Sequence, residues 1–183
     1  MRLSILGKII NLLLPRYCPV CDNRLLGSEE MLCINCLKHL PLTMTWSDPY
    51  ENEMAKMFWG RIPIERCAAL IYYSSHSKTS NAIYQLKYHH RPDIGTYLGR
   101  LIGSKGLEIN FFEGIDAIIP IPINRKRQQE RGYNQSEEIA KGIQEKTGLH
   151  IITMQEEQRR AILRTLWRST VKSEKQSWRH FRK

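Results

Sequence analysis

Two Cys-x-x-Cys pairs, Cys18-Pro-Val-Cys21 and Cys33-Ile-Asn-Cys36, stand eleven residues apart near the start of the chain. Each such turn puts two sulfurs on one side of the backbone. Two turns together supply four thiolates, which is the donor set of a tetrahedral zinc ion with no coordination position left open. A closed shell argues for a structural site. A module of roughly 30 residues buries too little apolar surface to fold alone, so metal binding would supply its folding free energy. A four-cysteine zinc ribbon with ligands Cys18, Cys21, Cys33 and Cys36 is therefore expected. Four thiolates also suit an iron–sulfur cluster. A redox role fits two tandem pairs outside a βαβ unit poorly. Cys67 falls in an apolar run and reads as a buried thiol.

The flanks of this module set its context. Residues Leu3–Leu14 carry Leu3, Leu6, Ile10, Leu13 and Leu14 at helical spacing, which predicts a short amphipathic helix over residues 1–15. Lys8 and Asn11 interrupt the run, and Pro15-Arg16-Tyr17 stands where small residues would precede a cleavage site. A transmembrane segment is therefore not expected. With no export signal in view, a cytoplasmic location with reduced thiols is the expectation. The net charge is +10, yet residues 159–183 hold nine Lys/Arg against the single acid Glu174. The rest of the chain is thus nearly balanced, and the basicity describes a tail rather than a broad nucleic-acid-binding face.

Beyond the cysteines, residues 46–63 read as a polar linker. The run Cys67–Tyr73 reads as a strand, and Thr79–Tyr88 and Gly95–Lys105 as helices. Asp116–Pro122 reads as a buried strand stopped by prolines, Asn134–Lys146 as a helix closed at Gly148, and His150–Met154 as a further strand. Strand, helix and strand in that order predict an α/β fold with a parallel sheet. Ligands of such sheets gather at the carboxyl ends of strands, and helix N-termini with nearby arginines favour phosphate. Arg125, Lys126, Arg127 and Arg131 are thus candidates for a phosphate or pyrophosphate, with Gly132 allowing close backbone approach. Asn134 reads as a helix cap with Glu137 as its capping-box partner.

The order of these motifs resembles the ComF family: Cys-Pro-Val-Cys and Cys-Ile-Asn-Cys, a helix with Leu86-Lys87-Tyr88, Pro120-Ile-Pro122, then Arg131-Gly-Tyr-Asn-Gln135. The resemblance implies a zinc ribbon (residues 1–45 with its leading helix) followed by a partial type I phosphoribosyltransferase-like domain (residues 64–173) and a basic tail (residues 174–183). It implies a pyrophosphate loop at Pro120, Ile121, Pro122, Ile123 and Asn124, continued by Arg125. It also implies a signature at Arg131, Gly132, Asn134 and Gln135, and a supporting Lys87. Leu163-Arg164-Thr165, Ser169-Thr170 and Lys172-Ser173 are similar to pieces of the mobile loop that closes over phosphoribosyl pyrophosphate. The family is associated with competence and DNA uptake, which implies single-stranded DNA or a helicase of the uptake machinery as partners. Trp167, Trp178 and Phe181 among the basic residues of the tail would permit base stacking.

One departure stands out. Such transferases grip the ribose with two adjacent acidic residues and the 5′-phosphate with a Thr/Gly-rich cradle. The aspartates here are Asp22, Asp48, Asp93 and Asp116, and no two are adjacent. Glu156-Glu157 leads into Gln158-Arg159-Arg160 with no cradle. The expectation is a chain shortened at its C-terminus, without full transferase activity. Mg²⁺ with phosphoribosyl pyrophosphate then belongs only to a full-length relative.

Overall fold

A computed structural model describes residues 14–75 and 77–153. Of the helix expected over residues 1–15, all but residues 14 and 15, which are not helical, lies outside the described residues, as do the mobile-loop pieces and the basic tail. Six helices and two strands follow in order. They are α1 (Ile34–Lys38), α2 (Glu53–Lys56), α3 (Ser80–Tyr88), α4 (Pro92–Glu108), β1 (Ala117–Ile118), α5 (Arg125–Arg131), α6 (Gln135–Thr147) and β2 (His150–Ile151). A 3₁₀ turn at Met44–Trp46 precedes α2. The result is a mixed helical fold with a two-stranded parallel sheet.

The long helix α4 is the element the rest packs on. Pro92 occupies its first turn, where the missing N–H costs nothing, and Asp93 suits the positive end of the helix dipole. One face buries Ile94, Tyr97 and Leu98. These meet Ala82 and Leu86 of α3 and Cys18, Val20, Leu25, Leu32 and Cys33 of the cysteine module in one continuous core. Polar links cross the same boundary. Gln85 Nε2 donates to the Pro19 carbonyl at 3.2 Å, and the Arg91 guanidinium reaches Gln85 Oε1 and Met31 Sδ while pairing with Asp93. The cysteine module thus shares its apolar core with the helices.

A second face of α4 carries Gly95, Gly99 and Gly103, one every four residues. Helix α6 lies directly against this face. A methyl group at Gly99 would collide with the Ile139 carbonyl, and one at Gly142 with the Thr96 carbonyl. The two backbones touch there because neither carries a side chain. The spacing Gly95-x₃-Gly99-x₃-Gly103 was available in the sequence as a signal of this contact.

The strands β1 and β2 pair in parallel, Ala117 with His150 and Ile118 with Ile151, and α5 and α6 form the crossover between them. Both strands are shorter than expected. β1 ends at Ile118 because Pro120 and Pro122 offer no N–H to a ladder. Nor is it the buried strand anticipated: Ile119 and Ile121 are exposed, as is Ile152 beyond β2. Residues Cys67–Tyr73 are not a regular strand. Ile71 makes one isolated antiparallel bridge to Leu42, flanked by Thr43 N–H to the Leu70 carbonyl and Tyr72 N–H to the Pro41 carbonyl. Pro41 has no donor to extend the pairing. The Ala69 carbonyl is taken instead by the hydroxyls of Thr43 and Thr45 and by Trp46 Nε1 at 2.7 Å.

The segment expected as a linker, residues 46–63, is structured in part. Trp46 and Ala55 are buried, and Asn52 caps α2 through Ala55 N–H while its amide bonds the carbonyls of Thr45, Asp48 and Cys67. Among the described residues no helix is long and apolar enough to cross a membrane.

Candidate metal centre and basic turn

The cysteine module begins where Leu25 N–H bonds the Arg16 carbonyl and Tyr17 bridges Arg24, closing a narrow loop over Cys18–Asn23. Within it Cys18 N–H donates to the Asn23 carbonyl at 2.9 Å, and Asp22 takes a left-handed conformation with φ of 59°. The second pair sits at a helix start. Cys33 is the N-cap of α1, and its Sγ accepts from Cys36 N–H at 3.4 Å. The Glu29 carboxylate fixes the approach to this pair, accepting from Leu26 N–H at 2.6 Å and Ile34 N–H at 2.7 Å. The sequence reading missed Glu29, whose only local cue is its place four residues before Cys33.

These two turns bring the Sγ atoms of Cys18, Cys21, Cys33 and Cys36 within 4.8 Å of one another, with Cys18 and Cys33 buried. Cys21 and Cys33 are 3.6 Å apart sulfur to sulfur. A tetrahedron with metal–sulfur bonds of about 2.3 Å has edges of about 3.8 Å, so the spacing suits one shared ion. Electrostatics point the same way. Burial and the neighbouring Cys21 and Cys33 thiols push Cys36 well above the usual thiol range. At Cys21 the Asn23 backbone donor lowers the pKa, but burial and the Cys33 and Cys18 thiols raise it overall. Cys18 is opposed by burial yet held low by backbone donors at Cys33, Cys21 and Val20. The Cys18 thiolate is thus stabilised, while Cys21 and Cys36 resist ionising beside it without a cation among them. The four cysteines could hold a metal ion. Cys67 stands apart, partly buried, with burial raising its thiol.

The basic segment is helical. Arg125, Lys126 and Arg127 form the first turn of α5, capped by Asn124, whose Oδ1 accepts from Arg127 N–H at 2.8 Å. Three cations at the positive end of a helix oppose its dipole, a cost of a few tenths of a kcal/mol each at an exposed site. Arg131 closes α5 and Gly132 follows as its left-handed cap with φ of 77°. A methyl at Gly132 would meet only His90 Nδ1, at 3.9 Å. Glycine is therefore required for the turn, not for close approach of a neighbour.

Asn134 is the structural centre of this turn and is 2% exposed. Its Oδ1 accepts from Ser136 N–H at 3.0 Å, capping α6, and its Nδ2 donates to the Ile121 carbonyl and to Glu137 Oε1, both at 3.1 Å. The expected capping box is present in altered form: Glu137 meets the cap's side chain. One residue thereby ties the loop after β1 to the start of α6. Pro120 is buried, Pro122 and Ile123 are half-buried, and Asn124 and Arg125 are exposed.

Arg131 donates to Gln135 Oε1 at 2.9 Å and lies over the Tyr88 ring, 5.2 Å from its centroid. Gln135 Nε2 is buried without an acceptor among the described residues. Tyr133 donates its hydroxyl to the Leu86 carbonyl, holding the turn against α3. Lys87 is exposed in the last turn of α3, and the recorded contact from that helix to Arg131 runs through Tyr88. The sequence reading did not single out Tyr88, which an arginine stacking partner on a neighbouring helix requires. No family model, curated protein or solved structure matches this chain.

Proposed function

We propose that this chain is a ComF-like protein, a zinc ribbon joined to a phosphoribosyltransferase-related α/β unit that binds a pyrophosphate group without completing a transfer reaction. The observation that carries this reading is the buried Gln135 Nε2, a donor without an acceptor among the described residues, beside the Arg131 guanidinium at the start of α6. A pyrophosphate oxygen would satisfy that donor and receive charge-assisted bonds from Arg131. The turn follows a parallel strand at its carboxyl end, the usual ligand position in α/β sheets. Zinc is the ion that four clustered thiolates at this spacing suit best. In the transfer chemistry of such a fold, donors of this kind stabilise the charge on departing pyrophosphate. No pair of adjacent aspartates stands in the sequence to grip a ribose.

Titration calorimetry with inorganic pyrophosphate and with phosphoribosyl pyrophosphate, each with Mg²⁺, tests the reading. Both ligands should bind with similar affinity, and Arg131→Ala should weaken both at least tenfold. Much tighter binding of phosphoribosyl pyrophosphate would overturn the claim of an incomplete ribose site. Absence of pyrophosphate binding would overturn the assignment of the turn.

A second reading rests on a different observation. Tyr84 and Tyr88 are exposed on α3 with ring centroids 4.9 Å apart, next to Arg131. Exposed aromatic faces beside cations suit stacking of single-stranded nucleic-acid bases, in line with the expected role in DNA uptake. Tyr84→Ala with Tyr88→Ala should then weaken binding of a fluorescent oligodeoxythymidine at low salt. Unchanged binding would remove this reading.

A further inference from the structure

Helix α3 touches both the cysteine cluster and the Arg131–Gln135 turn. On the cysteine side, Gln85 Nε2 donates to the Pro19 carbonyl at 3.2 Å. Pro19 stands inside the Cys18–Cys21 turn, and its carbonyl belongs to the same trans peptide unit as the Val20 N–H. That N–H is one of the backbone donors that hold the Cys18 sulfur. The unit is planar, with N–H and C=O pointing opposite ways, so the plane that meets the sulfur also fixes the acceptor that Gln85 uses. Arg91, just past α3, adds a second tie by reaching Gln85 Oε1 at 3.4 Å and Met31 Sδ at 3.5 Å.

On the other side, the Leu86 carbonyl accepts the Tyr133 hydroxyl, and the Tyr88 ring lies under the Arg131 guanidinium, 5.2 Å away. His90 Nδ1 is 3.1 Å from the Arg131 carbonyl. Leu86 is buried in the core that contains Cys18 and Val20, and Tyr133 packs against that same core. Gln85 and Tyr88 are three residues apart, about 4.5 Å along one hydrogen-bonded helix, so neither end of α3 moves without the other. We propose that α3 couples the two sites, so that an ion held by the four sulfurs sets the affinity of the turn for pyrophosphate, with Gln85 and Tyr133 as the positioning residues. This rests on the pyrophosphate reading of the turn and adds its regulation. The two-state element is the cysteine module: at roughly 30 residues it depends on an ion to fold, and only when folded does it present the Pro19 carbonyl and its share of the core to α3. The coupling is reciprocal, so pyrophosphate on the turn also tightens the hold on the ion.

Titration calorimetry with inorganic pyrophosphate and Mg²⁺, on the full chain loaded with zinc or stripped of it, tests the link. Stripping should weaken binding at least tenfold. In the zinc-loaded chain, Gln85→Leu, which keeps a residue of similar size and helix propensity, and Tyr133→Phe, which removes only the hydroxyl, should each weaken binding at least threefold. The double variant should lose no more than the worse single variant, since both break one link. A stripped chain that binds as tightly as the loaded one, single variants with native affinity, or losses that multiply in the double variant would each overturn the proposal. Hydrogen exchange reads the same link with no ligand added. Amides of residues 133–138 should exchange at least threefold faster in zinc-loaded Gln85→Leu than in the native chain, with residues 143–147 at the far end of α6 unchanged. If no form binds pyrophosphate, the reading of the turn fails, and exchange alone decides the coupling. Unchanged exchange at residues 133–138, or an equal rise at residues 143–147 from general loosening, would overturn it.

Discussion

Replacing Gly99 by alanine adds one methyl group at the point where α4 and α6 touch. Its position would overlap the Ile139 carbonyl and approach the Gly142 Cα to 2.9 Å. Both are backbone atoms, so no side-chain rotation relieves the overlap and the helices must separate. Alanine gains about 1 kcal/mol of helix propensity over glycine. Overpacking of a tight interface costs about 1–3 kcal/mol, and the rigid neighbours here place Gly99 at the upper end. The net expectation is a loss of about 2 kcal/mol, which lowers Tm by about 4–8 °C for a domain of this size. Gly103→Ala makes a useful comparison. Its methyl would meet Lys146 Cβ at 2.8 Å, Cγ at 3.2 Å and the Ile143 carbonyl at 3.3 Å, a milder overlap than at Gly99, so the loss should be smaller. Thermal unfolding followed by circular dichroism on the metal-loaded chain provides the measurement. An unchanged or raised Tm for Gly99→Ala is what an exposed helical glycine would show, and it would refute the α4–α6 contact. The contact matters for the site because α6 carries Asn134 and Gln135 at its start.

The shared core makes the cysteine cluster, and any ion it holds, a support for the helices too. Removing the ion with a chelator, or Cys36→Ala, should release Val20, Leu25 and Leu32 from α4 at a cost of about 5 kcal/mol or more, seen as faster hydrogen exchange across residues 82–98. Exchange that rises only within residues 17–38 would contradict a common core. Asn134→Ala removes a helix cap and strands the Ile121 carbonyl, for a combined loss of about 2–3 kcal/mol. Denaturant unfolding reads this loss, and pyrophosphate binding should weaken with it. Glu29 sets an acid limit. Its two backbone donors, Leu26 first and then Ile34, hold its carboxyl below the ordinary value of 4.5. Its contribution is therefore complete above the unfolded pKa and is lost as pH falls through the lower folded pKa. The amide shifts of Leu26 and Ile34 should titrate together below pH 4.5 and lose that titration in Glu29→Gln; independence from pH would contradict the carboxylate bridge.

Several features were legible before any coordinates because they are local. The spacing of Cys18, Cys21, Cys33 and Cys36 needs only two short turns to converge, and the converged cluster follows from it. The bounds of α6 were readable within a residue, since Asn134 and Gly148 cap it through their own backbone and side-chain chemistry. The prolines at 120 and 122 likewise set where β1 stops, although not how little of it pairs. The run Cys67–Tyr73 was misread because a short apolar run implied a strand, whereas Thr43, Thr45 and Trp46, more than twenty residues away, captured the Ala69 carbonyl.

Tertiary structure alone decided the rest. No pattern within residues 18–36 reveals that Cys18 and Leu25 share a core with Ile94 and Leu98, because burial depends on which surfaces meet. The glycine spacing in α4 announced a close partner without naming Gly142. The convergence of Arg131, Gln135 and Tyr88 likewise required α3 and α5 to be placed side by side. Turn and cap chemistry acts over a few residues and is written into the sequence. Close packing matches surfaces from distant segments, and it exists only once the chain has folded.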